Sequence, residues 1–465
     1  MPGQIHKFKL FDKNIVLDIN SGSVFEVDDI VYEFLDDKKT LNETACQLGS
    51  KYGKAEVLQA INEIQDLKKK NMLYSTNDFS FVIEKLNGSR NVKALCLNVA
   101  HDCNLRCGYC FASKGDYRGK RLLMPASVGR ESVDFLIEHS GGRKNLEIDF
   151  FGGEPLLALK TVKEVISYAR SLESKYKKKF HFTITTNATN MDDDIIDFLH
   201  KNMDNVVMSL DGRKEVNDFF RVKPNGSGSY DYVLNNILKM VELRERDNKE
   251  YYVRGTFTRY NLDFAQDVFH IASLGVKQIS LEPVVGKEGS FLLRPEDLEL
   301  LYRQYHLIAE EQLKRKKSGI TPFNFYHFNI DIFNSPCVYK RMSACGSGNE
   351  YLAVTPEGDI FPCHQFVGND KFYMGNIKEK KLNMQIVDLF KNTHIFAKPR
   401  CSSCWARFYC SGGCNANNFQ INGDLKEPYD ITCSLQKKRI EYAIYMNLEG
   451  NVEENTNGMY DHKWR

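Results

Sequence analysis

The sequence predicts an α/β protein built on a parallel sheet that curls into a partial (β/α)6 TIM-like barrel, and three observations predict it. From Ala94 onward, apolar strand-length runs alternate with helical periodicity. Successive runs end in polar or glycine-rich clusters, where folds of this kind carry their working groups. The stretch reaches Leu300 after about 210 residues, short of the ~250 of a closed eight-fold barrel.

The runs are ALCLNV, LEIDFF, HFTITT, NVVMSL, YVRGTFT and QISLEP, with helices expected over Ala126 to Ser140 and Thr161 to Lys178. At the first four ends stand a cysteine loop, then Gly152, Gly153, Glu154 and Pro155, then Thr185, Thr186 and Asn187, then Ser209, Asp211 and Gly212. Taken singly, FGGEP reads as a tight turn and SLDG as a strand exit.

Ahead of the barrel, residues 1–75 read as a separate unit of three short strands followed by three helices. Ile15, Leu17 and Ile19 alternate as one buried face, and Thr40 with Glu43 forms a capping box that opens the second helix. Residues 76–92 read as a linker contributing a strand or a bridge, with the barrel over 93–300. Residues 301–336 are a connecting helical segment followed by an aromatic-rich stretch. A cysteine-dense region spans 337–440, and in 441–465 the polar tail after about Gly450 reads as disordered.

The chain has 465 residues, 42% of them apolar, enough for two or three cored domains. A net charge of +2 leaves no global field to recruit nucleic acid or an anionic membrane. The start, MPGQIHKFKL, lacks the pattern of an export signal, and no apolar run approaches the ~20 residues of a membrane span. The expected location is the cytoplasm. Thirteen cysteines in a reducing compartment are better explained as metal ligands than as disulfides. Cys46 and Cys96, in a helical and a strand pattern, read instead as small buried hydrophobes.

Cys103, Cys107 and Cys110, in HDCNLRCGYC, form a compact Cys-x3-Cys-x2-Cys array. A cubane iron-sulfur centre has four irons, so three thiolates on one loop leave the fourth iron without a local partner. The alternative is a zinc knot, which usually pairs its cysteines across a longer gap, although His101 is near.

This array resembles the motif of the radical SAM superfamily, with Tyr109 in its aromatic place. By that resemblance the open iron chelates S-adenosylmethionine, Gly152 and Gly153 let backbone approach its methionine part, and Glu154 receives its ammonium. Ser209 and Asp211 would reach the ribose, Arg221 the carboxylate, and Asn187 would form a pocket wall. Gly286 either flanks adenine or is a plain loop residue.

Downstream, Cys345, Cys363, Cys401, Cys404, Cys410, Cys414 and Cys433 are spaced in a way that resembles the SPASM extension of peptide-maturing radical enzymes. The resemblance implies two auxiliary 4Fe-4S clusters beside the first, three in all. Cys345, Cys363 and Cys414 would hold one, completed or not by Cys337, and Cys401, Cys404, Cys410 and Cys433 the other. Zinc on Cys401, Cys404, Cys410 and Cys414 is the structural alternative.

Residues 1–75 resemble the winged-helix element that binds the leader of a ribosomally made peptide as an added strand. A DNA-binding winged helix and a purely packing domain are the other readings. Nearly the whole chain resembles the thioether-forming maturases of SCIFF peptides. That implies a cysteine-rich precursor peptide as partner, a small redox protein or other electron donor, and no nucleic acid or membrane partner. Two other functions fit parts of the pattern: an anaerobic sulfatase maturase forming formylglycine, and a redox-sensing winged-helix regulator on DNA.

Overall fold

The computed structural model describes residues 3–35, 48–88, 91–332 and 341–454. The capping box at Thr40 and Glu43, with Cys46 and Cys337, lies outside the described residues. The N-terminal unit opens with an antiparallel sheet of β1 (Ile5–Leu10), β2 (Lys13–Asp18) and β3 (Val24–Val27), with β2 central. Helices α1 (Asp29–Phe34) and α2 (Lys54–Lys69) follow. Asp28 caps α1 by accepting the Val31 N–H. β2 is buried on both faces. Val16 packs with Val31, Phe34 and Ile64 beneath the helices, whereas Ile15 and Leu17 join the main core of the protein. The expected linker strand is instead a helix, α3 (Ser80–Gly88).

The main sheet holds six parallel strands in chain order: β4 (Ala94–Ala100), β5 (Asn145–Gly152), β6 (Lys179–Thr186), β7 (Asn205–Ser209), β8 (Glu250–Phe257) and β9 (Gln278–Pro283). Helices such as α4 (Ala126–His139) and α5 (Leu159–Tyr176) connect them, as parallel neighbours require. β5 and β6 alternate between buried and half-buried positions. Phe150, Phe182 and Ile184 pack outward in the core, while the residues between them face inward. The inward face stays partly open because six strands do not close.

Both sheet edges are covered by segments expected to be separate from the barrel. The aromatic-rich stretch supplies β10 (Asn324–Phe325), parallel to β9. The cysteine-dense region adds β11 (Tyr351–Val354), parallel to β4 with Ala353 opposite Cys96, and then β12 (Asp359–Phe361) and β13 (Gly375–Asn376), antiparallel. An unfinished barrel leaves edge backbone groups unpaired, and these strands satisfy them. The chain returns in α6 (Asp430–Glu454), a continuous helix through the part of the tail expected to be disordered up to Glu454. Its Tyr442 and Tyr445 pack into the main core.

Candidate active site

The cysteine loop leaves β4 at Ala100 and is pinned at its base by the Ala100–Leu123 bridge and the His101 N–H to Leu122 carbonyl bond of 2.8 Å. Midway, the Arg106 N–H donates to the Val222 carbonyl (2.7 Å) and the Gly108 N–H to the Phe220 carbonyl (3.0 Å). These bonds hold the loop against the segment carrying Arg221. Cys103, Cys107 and Cys110 are all half-buried free thiols. Burial pushes Cys103 up to about 12 and Cys107 to about 11, with each other's charge adding to the effect on Cys103. Thiols held neutral in this way become ligands by releasing their protons as the thiolates bind metal. The Cys103 sulfur already accepts from the Leu105 N–H (3.4 Å) and from Asn187 Nδ2 (3.6 Å), the kind of donors that tune cluster sulfurs.

The two glycines at the end of β5 sit tightly against the cysteine loop. A Cβ on Gly152 would lie 2.3 Å from the Ala100 carbonyl oxygen, and one on Gly153 2.1 Å from that of Asp102. The close approach they permit is therefore to the backbone of the cysteine loop. It is sealed by Gly153 N–H to Ala100 O (2.7 Å) and Glu154 N–H to Asp102 O (2.8 Å). Gly115, which sequence reasoning missed, has the same role on the other side, since its Cβ would lie 2.5 Å from that of Cys103.

Glu154 is fully buried and accepts from Thr186 Oγ1 (2.7 Å), the Asn187 N–H (2.8 Å) and the Leu156 N–H (3.0 Å). Burial raises its carboxyl above the usual range, and no cation lies within ion-pairing distance among the described residues. With three of about four acceptor positions filled, one remains for an incoming donor, which fits an ammonium. Tyr109, Asp211 and Arg221 form one network. The Tyr109 hydroxyl donates to Asp211 Oδ2 (2.5 Å) and accepts from Arg221 Nη1 (3.0 Å), and that nitrogen lies 3.9 Å from Asp211 Oδ1. Ser209 ends β7 beside Arg254 of β8. Gly286 lies in the loop after β9 against Leu292 of the same loop.

The C-terminal cysteines fall into two neighbourhoods. Burial raises the Cys363 thiol well above its ordinary value, and the next contributors are Cys414 and Cys345. In the other neighbourhood Cys401, Cys404, Cys410 and Cys433 act on one another. His364, next to Cys363, stacks on Phe151 of β5 (4.7 Å) and meets Phe111 of the cysteine loop (5.4 Å), so the first neighbourhood adjoins the Cys103–Cys110 loop. Lys398, also missed, is buried between the neighbourhoods, with Nζ donating to the Gly412 carbonyl (2.8 Å) and Asn415 Oδ1 (2.9 Å). The signal for Lys398 was a lysine three residues before Cys401, indistinguishable in sequence from a surface charge.

Two observations bear on what the thiols could hold. Among the described residues, no three His, Cys, Asp or Glu side chains converge as a single metal ion needs. Tetrahedral zinc draws its sulfurs to one point, whereas a cubane spreads them over four irons. Among the described residues the buried Tyr117 hydroxyl has no hydrogen-bond partner, and it lies in the field of Cys96, Cys110, Cys363 and Cys103. Such an orphan fits a position lined by an acceptor-rich cluster. His101 is stacked on Tyr117, and burial lowers it to about 4.

The sequence model of the Radical SAM superfamily matches residues 97–251, and that of the SPASM iron-sulfur cluster-binding domain matches residues 345–405. Among curated relatives, the radical SAM cyclopropyl synthase TigE of Paramaledivibacter caminithermalis is 23% identical, over 78% of this chain and 76% of its own. A cysteine-type anaerobic sulfatase-maturating enzyme of Clostridium novyi is 25% identical, over 70% and 89%. The fold matches native anSMEcpe with bound AdoMet at a TM-score of 0.61, with 21% identity over 77% of this chain and 100% of that one. It matches Streptococcus suis SuiB bound to S-adenosylmethionine at 0.53, with 16% identity over 90% and 96%. The chain carries a Radical SAM domain over residues 97–251 and a SPASM iron-sulfur cluster-binding domain over residues 345–405.

Proposed function

We propose that this enzyme installs thioether cross-links in a cysteine-rich, ribosomally made precursor peptide, joining a cysteine sulfur to a carbon of a second residue, typically threonine. The observation that carries the reading is the adjacency of the Cys103–Cys110 loop and the Cys345, Cys363, Cys414 group through Phe111, Phe151 and His364. Three thiols make an incomplete ligand set for a cubane unless Cys337 completes it, and an open position there would suit a substrate thiolate.

In this reading Cys103, Cys107 and Cys110 hold the cubane that binds S-adenosylmethionine, Cys345, Cys363 and Cys414 a first auxiliary cluster, and Cys401, Cys404, Cys410 and Cys433 a second. When bound, the cubane and S-adenosylmethionine supply reductive cleavage to methionine and a hydrogen-abstracting 5′-deoxyadenosyl radical. The protein's own residues hold and orient. Glu154 takes the cofactor's ammonium, Arg221 its carboxylate, Ser209 and Asp211 its ribose, while Asn187 walls the pocket and holds the Cys103 sulfur. The N-terminal sheet receives the peptide leader at its free edge. SuiB has been solved bound to precursor peptide SuiA, which supports a peptide substrate on this fold. A small redox protein or other electron donor supplies electrons.

Anaerobic incubation of the reduced, cluster-loaded enzyme with S-adenosylmethionine and a cysteine-rich precursor tests the reading by mass spectrometry. The expected product has lost two hydrogens per cross-link and has thiols blocked to alkylation. The Clostridium novyi relative favours one competitor, formylglycine formation, and that product mass would overturn the thioether reading.

A further inference from the structure

The N-terminal sheet packs against the segment that carries most of the second auxiliary cysteine group. The His6 ring stacks on Trp405, next in chain to Cys404, at 3.6 Å and 3°. Arg407 is 1% exposed, and its guanidinium reaches across the boundary: Nη1 donates to Gln4 Oε1 (3.1 Å) and Nη2 to Asn20 Oδ1 (2.6 Å). The same Nη1 donates to the Cys404 carbonyl (3.1 Å), so one side chain ties both ends of the β1–β2 hairpin to a cysteine backbone. An apolar cluster continues the seam, with Ile19 and Phe79 packing with Cys401, Ile395 and Phe408. Phe79 lies 4.9 Å from Phe408, ring to ring.

Stacked ring, guanidinium fork and apolar seam all land on the Cys401–Cys410 segment. A cluster's potential and lability depend on the solvent reaching it and on the hydrogen bonds around its sulfurs. A segment that only recognised peptide would have no need to bury an arginine beside Cys404.

We propose that the N-terminal sheet is the solvent-excluding cover of the second auxiliary cluster, with Arg407 the positioning residue that locks the cover to the Cys401–Cys410 segment. This rests on the proposed reading that Cys401, Cys404, Cys410 and Cys433 hold a cluster. The unit taken to bind the leader would then also set how stable that cluster is and at what potential it accepts an electron.

The test uses the full-length, anaerobically reconstituted enzyme. First, Cys401→Ala must lower bound iron by one cluster's share; if it does not, the ligand reading fails and the cover is not at issue. Next, the Gln4→Ala/Asn20→Ala double variant leaves every cysteine in place and removes the two acceptors that the N-terminal segment offers Arg407, leaving its bond to the Cys404 carbonyl. Iron release to a chelator is expected to be about tenfold faster or more, within the range for lost outer-shell support. In an EPR redox titration, one auxiliary signal is expected to shift while the S-adenosylmethionine-binding cluster keeps its potential. Arg407→Lys, which keeps the charge but not the fork, should behave like the double variant. If the double variant does not fold, His6→Ala, which removes the Trp405 stack together with the bond to Glu441 of α6, is read in the same way. Parent-like release and potentials in a folded variant overturn the proposal.

Discussion

Replacing Gly153 by alanine tests whether the end of β5 sets the position of the cysteine loop. The added Cβ would lie 2.1 Å from the Asp102 carbonyl oxygen, 2.6 Å from the Asp102 carbonyl carbon and 2.9 Å from the Gly115 oxygen. These are backbone atoms on both limbs of the loop, and no flexible side chain can swing aside. Relieving the shortest contact requires about 1 Å of backbone movement in a close-packed surrounding. Overpacking of this kind costs about 1–3 kcal/mol of stability. The larger effect is geometric, because a 1 Å misplacement of reacting groups can cost about 100-fold in rate. Formation of 5′-deoxyadenosine from S-adenosylmethionine under strong reductant, measured by chromatography alongside iron content, is expected to fall by about that factor. Gly142→Ala is the control, since nothing lies within 4 Å of its Cβ position. Parent-level deoxyadenosine and iron in Gly153→Ala would refute the claim that the strand end positions the loop.

Simultaneous Cys103→Ala, Cys107→Ala and Cys110→Ala replacement is expected to abolish cofactor cleavage while iron analysis still counts the auxiliary clusters; loss of all iron would mean the cysteine groups are not independent. Glu154→Gln replaces the charged acceptor facing the vacant donor position, so S-adenosylmethionine binding measured by equilibrium dialysis should weaken about tenfold or more, with the iron content of the first cluster retained. Unchanged binding would remove Glu154 from the cofactor site. Glu282 supplies a pH test on a group that is not one of the thiols. Burial alone would raise its carboxyl, but His327, Arg439 and Arg254 reverse this and hold it at about 2. A depressed folded-state value gives stability that is present above the unfolded value, about 4.3, and lost as pH falls toward the folded one. Arg439→Met should therefore lower the thermal midpoint at neutral pH and flatten its decline below about pH 4.3. An unaltered profile would show that Arg439 does not hold the carboxylate.

The sequence by itself determined the six strands and the residues at their ends. Outward apolar positions and the turn chemistry after each strand are local properties, and a parallel strand-helix repeat has few ways to pack. The grouping of the C-terminal thiols came from the SPASM resemblance and not from spacing, which keeps Cys414 beside Cys410 whereas the fold sets it with Cys345 and Cys363. The tertiary structure decided the rest, through contacts between residues far apart in the chain. Spacing could not show that β11 would complete the open edge at β4, since any strand with free backbone groups satisfies that need. Nor could it show that Gly153 meets the Asp102 carbonyl so closely that a Cβ there would lie 2.1 Å from it. The burial of Arg407 between Gln4, Asn20 and Cys404 joins the first and last parts of the chain, and a charged residue in a cysteine-rich stretch carries no mark of which distant surface will take it out of water.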